Sequence, residues 1–178
     1  MRHPVYAMAV AVLAACATLG AQQTTQVHPG KGGSPHVRSE WTVDGAKLSI
    51  TYGRPSLKGR PLEQLTPAGK VWRTGADEAT TLVTDKSLKF GSLAVPAGTY
   101  TIYTQPGEKE WQLIISKQTG QWGTQYAEGQ DLGRVPMKVE KAGSPVEQFT
   151  ISVDDTAQGG TLKLSWGTTV ASAPFTVG

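Results

Sequence analysis

The sequence predicts an all-β domain, an antiparallel β-sandwich of jelly-roll type with very little helix. Three observations carry this. Runs of alternating apolar and polar residues recur, Phe149-Thr150-Ile151-Ser152-Val153 and Leu162-Lys163-Leu164-Ser165-Trp166 being the strictest, and a period of two is that of a half-buried strand. Turn residues separate these runs at short intervals, the spacing of sandwiches and barrels. Helical spacing is confined to one short stretch, Pro61 to Leu65, where Pro opens a single turn and Leu62 and Leu65 share a face.

Taken in order, Trp41 to Val43 and Lys47 to Tyr52 flank Asp44-Gly45, a pair suited to the positive φ angles of a type I′ hairpin turn. Ala79 to Thr84 is a β-branched run, and Leu88 to Phe90 and Leu93 to Val95 flank Gly91-Ser92. Thr99 to Thr104 and Trp111 to Ser116 are strands separated by Pro106-Gly107. Gly133 to Val139 can be a strand, with Pro136 restricting it to an edge or bulge, and Pro174 restricts the closing run Thr168 to Val177 in the same way. Asp154-Asp155 before Gly159-Gly160 reads as a polar hairpin loop. Trp111 and Trp166 are expected in the core because they alternate with Leu113, Ile115, Leu162 and Leu164.

The first residues have the parts of an export signal: Arg2, an apolar run from Val5 to Ala15, and a small-residue site at Leu19-Gly20-Ala21. The apolar run is shorter than the ~20 residues a spanning helix needs. Leu13-Ala14-Ala15-Cys16 also reads as a lipobox, in which Cys16 would be acylated. The signal is therefore 1–21, or 1–15 for a lipoprotein, and the protein is expected in the periplasm or secreted, touching a membrane only through an anchor at Cys16. Residues 22–36 read as a flexible Gly/Pro linker, and 37–178 as a single domain.

Cleavage after Ala21 leaves a chain without cysteine, so a disulfide and a thiolate nucleophile are both excluded. Sixteen basic residues then face fourteen acidic ones, a balance without the concentrated positive charge of a nucleic-acid binder. No histidine occurs after His36, which removes a Ser-His-Asp triad and a multi-histidine zinc site from within the domain. His36 itself is expected as a solvated residue at a strand entry. No metal site and no cofactor are assigned.

The candidate site is a charged block. Arg54, Lys58, Arg60 and Arg73 stand with Asp77 and Glu78, and Gly53, Gly59 and Gly75 interleave them. Guanidinium forks either lock a fold or hold a carboxylate or phosphate. If strand pairing begins near Asp77, Glu78 shares a face with Thr80 and Leu82 and becomes a half-buried carboxylate paired with Arg54, Arg60 or Arg73. The leading interpretation of that pair is structural. The functional alternative places Arg54, Lys58, Arg60, Trp72, Arg73, Asp77, Glu78 and Trp122 at a pocket for a small anionic or carbohydrate ligand, with the two tryptophans as stacking platforms.

Several words of the chain together resemble a secreted bacterial family of unknown function, number 2911. They are Ser34-Pro35, Tyr52-Gly53-Arg54-Pro55 with Lys58-Gly59-Arg60, Val71-Trp72-Arg73-Thr74-Gly75-Ala76 with Glu78-Ala79-Thr80, Pro96 to Tyr100, and Gln121-Trp122-Gly123. Asp77 stands where that family tends to carry Asn. The resemblance implies export and an all-β domain and brings no activity. The functional expectation is thus an envelope binding module for an anionic or carbohydrate ligand. Its alternatives are a carboxylate-based hydrolase with Glu78 as the catalytic residue, and a purely structural envelope domain.

Overall fold

The computed structural model describes residues 22–178. The two expected cleavage sites and Cys16 lie outside the described residues. The strands are β1 (Gln23–His28), β2 (His36–Val43), β3 (Ala46–Gly53), β4 (Thr81–Thr84), β5 (Leu88–Phe90), β6 (Leu93–Val95), β7 (Gly98–Gln105), β8 (Glu110–Ser116), β9 (Asp131–Thr156) and β10 (Gly159–Val177), with one α-helical turn, α1 (Leu62–Leu65), and one 3-10 turn at Glu128–Gln130. All pairings are antiparallel, in the order β1-β2-β3-β4-β7-β8-β9-β10-β5-β6. The all-β expectation is met, and α1 sits where the sequence placed its single turn.

Local chemistry explains the elements. On β2, Val37, Ser39, Trp41 and Val43 are buried while Arg38, Glu40 and Thr42 are exposed. Asp44 and Gly45 adopt φ 47° and 72°, the two positive angles of a type I′ turn, and they fix the register Val43↔Ala46 through His36↔Gly53. The prolines act as expected. The β9–β10 ladder ends at Lys138↔Ser172, two residues short of Pro136 and Pro174, and β10 resumes pairing, now with β5, at Thr176↔Lys89.

β9 and β10 are long because register shifts at Ser165/Gly167 and Gly167/Thr169 bend the hairpin without ending it. The sheet consequently folds over on itself, and β2 packs against β9 and β10, which are distant in strand order. The free edge of β9 near Phe149 is closed by the chain beyond β3. Phe149 N donates to Pro55 O at 2.9 Å, Leu57 N to Glu147 O at 3.0 Å, and Ile151 N to the Tyr52 hydroxyl at 2.9 Å. Between the layers lies one core that includes Ile50, Tyr52, Leu113, Phe149, Ile151 and Trp166. Trp111 and Trp166 are both buried, each side chain of this kind contributing ~1.5–3 kcal/mol.

Two segments differ from the sequence reading. Gln23–His28, within the expected linker, pair with β2 from Gln23↔Glu40 to His28↔His36 as an outer strand. Composition points to a linker there because β1 buries almost no side chain; backbone pairing alone orders it. Asp154 and Asp155 continue β9, and the hairpin turns tightly between Thr156 and Gly159.

Candidate functional site

The charged block divides into two arms. In the first, Arg54 Nε donates to Phe149 O at 3.1 Å and its Nη2 to Thr150 Oγ1 at 2.8 Å. Arg60 donates to Leu57 O at 2.9 Å and Ser56 O at 2.8 Å, folding back on its own loop. Lys58 is exposed, and its backbone N–H donates to Glu147 Oε1 at 2.7 Å. Arg54 thus binds the loop after β3 to β9 and is not aimed at a ligand.

In the second arm, Thr74 and Asp77 have φ 55° and 59°, so the chain is not extended there and pairing with β3 begins only at Thr81. The alternation expected from Asp77 onward is therefore corrected. Asp77 is the buried carboxylate, 9 % exposed, and accepts the Lys31 N–H at 2.9 Å. Glu78 turns outward with its side chain 52 % exposed. The expected Glu78–arginine pair does not form among the described residues. Glu78 Oε2 instead lies 2.9 Å from His36 Nε2 and 3.8 Å from His28 Nε2.

His36 is corrected too: it is 2 % exposed, not solvated. Gly53, its cross-strand partner, makes room for it, since a Cβ there would stand 2.8 Å from His36 Cε1 and 2.5 Å from Ala76 O. His28 stacks on the His36 ring at 4.2 Å, the two planes within 16°.

Arg73 has no ion pair or hydrogen bond to its side chain among the described residues. It lies against Gly123, where a Cβ would come within 2.8 Å of Arg73 Cδ, and Gly123 N donates to Asp77 O at 2.9 Å. Two clefts meet at Arg73 and share Leu65, Trp72 and Arg73. One, about 250 Å³, is also lined by Lys31, Ser34, Arg60, Asp77 and Trp166. The other, about 310 Å³, is also lined by Tyr103, Gly123, Thr124 and Tyr126. Trp72 forms the wall between them, backed by Trp166 stacked at 5.5 Å and 17° and by Phe149 edge-on at 5.0 Å. Its orientation is fixed by packing and by its backbone bonds to Thr104, Trp72 N to Thr104 O at 2.7 Å and Thr104 N to Trp72 O at 3.0 Å. Trp122 stands apart from both clefts, under Lys31, whose Nζ is 5.2 Å from the ring centroid.

The far wall of the larger cleft is chemically fixed. Burial, then the hydrogen bond to Asp131 and its charge, raise Tyr126 to about 12. The phenol donates to Asp131 Oδ2 at 2.6 Å and accepts from Arg134 Nη2 at 2.7 Å. Arg134 also reaches Glu128 at 2.9 Å, so its charge is answered where that of Arg73 is not.

Of the residues expected at a ligand site, the clefts gather Arg60, Trp72, Arg73 and Asp77. Arg54 is directed to β9, and Lys58, Glu78 and Trp122 lie outside both linings. Sequence reasoning missed Lys31, His28 and His36, all placed in a linker. A signal was available: two histidines eight residues apart around a Gly/Pro turn are positioned as hairpin partners.

A family model described as "Protein of unknown function (DUF2911)" matches residues 34–175. No curated protein and no solved structure matches the chain.

Proposed function

From a chain that belongs to the DUF2911 family, and whose charged block opens onto two joined clefts, we propose a binding module for a small anionic ligand, with acidic sugars as the favoured class. The observation that supports it is Arg73: a guanidinium without a counter-charge among the described residues, between Lys31 and Arg60 on one side and aromatic walls on the other. A planar fork in such a position suits a carboxylate or phosphate held in two places, and Trp72 and Tyr126 offer apolar surface to the face of a sugar ring. Asp77, the carboxylate lining the smaller cleft, already accepts the Lys31 amide. It orders the cleft wall and leaves the positive charge of Lys31, Arg60 and Arg73 in excess. The expected export signal, 1–21 or 1–15 with Cys16 as a lipid anchor, supports placing this module outside the cytoplasm, in the envelope or secreted.

Calorimetric titration with glucuronate, galacturonate oligomers and phosphate, against neutral glucose and its oligomers, tests the reading. Binding is expected for the anions alone. Arg73→Ala is expected to weaken it about tenfold to a hundredfold, as loss of a charged hydrogen-bond donor of ~1.5–3 kcal/mol implies. Equal affinity for neutral sugars, or an Arg73→Ala variant that binds as the parent does, would overturn it.

A further inference from the structure

The stacked histidines and Glu78 form a second constellation outside both clefts. Their three ligating atoms, one from each residue, all lie within 4.8 Å of one another. From this arrangement we infer that His28, His36 and Glu78 form a binding site for a divalent first-row transition ion of the zinc type.

The residue types fit such an ion, two imidazoles and one carboxylate being a donor set for zinc and its neighbours. Tetrahedral coordination at ~2.0–2.1 Å leaves ligand atoms roughly 3.3 Å apart. Glu78 Oε2 stands 2.9 Å from His36 Nε2 and 3.8 Å from His28 Nε2, on either side of that spacing. Small side-chain rotations of His28 and Glu78, which are 41 % and 52 % exposed, complete the fit. His36 is the fixed member.

An independent observation comes from His36 itself. Its ring is 2 % exposed, yet neither nitrogen has a hydrogen-bond partner among the described residues. The 2.9 Å approach of Nε2 to Glu78 is short enough for a hydrogen bond but is not aligned as one. A buried imidazole without partners is costly unless something satisfies it. A cation between the three groups supplies that partner at Nε2, the nitrogen that faces Glu78.

The fold holds the site from three directions. His28 and His36 are cross-strand partners in β1 and β2. Glu78 is held by its bridge to Trp122 and by the Ala79 N–H bond to Gln121 O at 3.1 Å. One adjustment is required. Gly30 N donates to His28 Nδ1 at 3.1 Å, which leaves the proton of the neutral ring on Nε2. Ligation through Nε2 moves that proton to Nδ1, so the Gly30 contact must open. Gly30 lies in the turn joining β1 to β2, where Lys31, Gly32 and Gly33 are exposed, so water can take up the amide that His28 releases. Three protein ligands beside exposed side chains leave a coordination position for water or a ligand, the pattern of an open site.

The test uses the full purified protein, stripped with a chelator and dialysed against zinc chloride, with bound metal counted by mass spectrometry. The expected result is one zinc per chain and a raised melting temperature. His28→Ala and Glu78→Gln should each lower the affinity at least tenfold. Both residues are partly exposed, so these variants should fold, and melting without metal verifies it; His36→Ala, which empties a buried position, is not relied on. No stoichiometric zinc, or zinc that survives both substitutions, overturns the site and leaves the three groups as an ion pair. Zinc is counted with no sugar or phosphate present, and the cleft titrations are run in chelator, so either inference can fail alone.

Discussion

The two arms of the segment between Tyr52 and Thr80 carry similar residues and meet opposite fates. In the first, Arg54 and Arg60 face carbonyl oxygens, of β9 and of their own loop. In the second, Arg73 faces two clefts, Asp77 holds a backbone amide, and Glu78 faces two imidazoles. The strand beside each arm decides the difference. The first arm runs along the open edge of β9, whose unpaired backbone groups need donors and acceptors. The second is lifted from the sheet by positive φ at Thr74 and Asp77, so its side chains reach outward. Charge is structural where it meets an unpaired backbone group, as at Arg54, Arg60 and Asp77, and available for ligands where it meets none, as at Arg73.

Arg54→Ala should break this contrast most visibly. It removes both bonds from the loop to Phe149 and Thr150, so a loss of about 2 kcal/mol is expected from bonds made by a charged donor. Arg73→Ala removes no such bond and should stay within about 0.5 kcal/mol of the parent. Chemical denaturation of the two variants side by side measures it, and a larger loss for Arg73→Ala would reverse the assignment of the arms.

Glu78→Gln sharpens the comparison. A buried pair with arginine, as the sequence suggested, would cost ~3–5 kcal/mol to break. The half-exposed carboxylate observed should cost no more than about 1 kcal/mol in metal-free protein. Melting in chelator distinguishes these values.

The smallest effect belongs to the answered arginine, Arg134, and its phenol. Tyr126 is raised to about 12, first by burial and then by Asp131, so its contribution is complete below pH 10, the ordinary tyrosine value. As pH rises from 10 towards 12 the unfolded chain ionises first and the contribution is lost. Tyr126→Phe should therefore flatten the fall of melting temperature over that window; an unchanged slope would show that Tyr126 does not titrate late.

The strands show what was legible. Asp44-Gly45, Pro136, Pro174 and the alternation about Trp111 and Trp166 act within a few residues, through allowed φ angles, missing N–H groups and side-chain period. Each therefore states its structure locally. Glu78 and Asp77 could not be assigned that way, because the alternation that buries Thr80 and Leu82 does not run back through the positive φ at Asp77, and that break in the extended chain exchanges the buried carboxylate for the exposed one. The rule of alternation was sound and its starting point was not visible.

The sequence by itself determined the fold class, the hairpin turn at Asp44-Gly45, the positions of the core tryptophans, the family and the presence of a concentrated charged block. Tertiary structure alone decided which charges were bound and which were free. Arg54 meets Thr150 across ninety-six positions, Lys31 meets Asp77 across forty-six, and the His28–His36 stack meets Glu78 only because β1 pairs with β2. Local preferences act over a few residues, whereas ion pairs and ligand sites need groups brought within a few ångströms from distant parts of the chain. That distance is set by sheet register and by the fold of β9 over β2, which no short stretch of sequence contains.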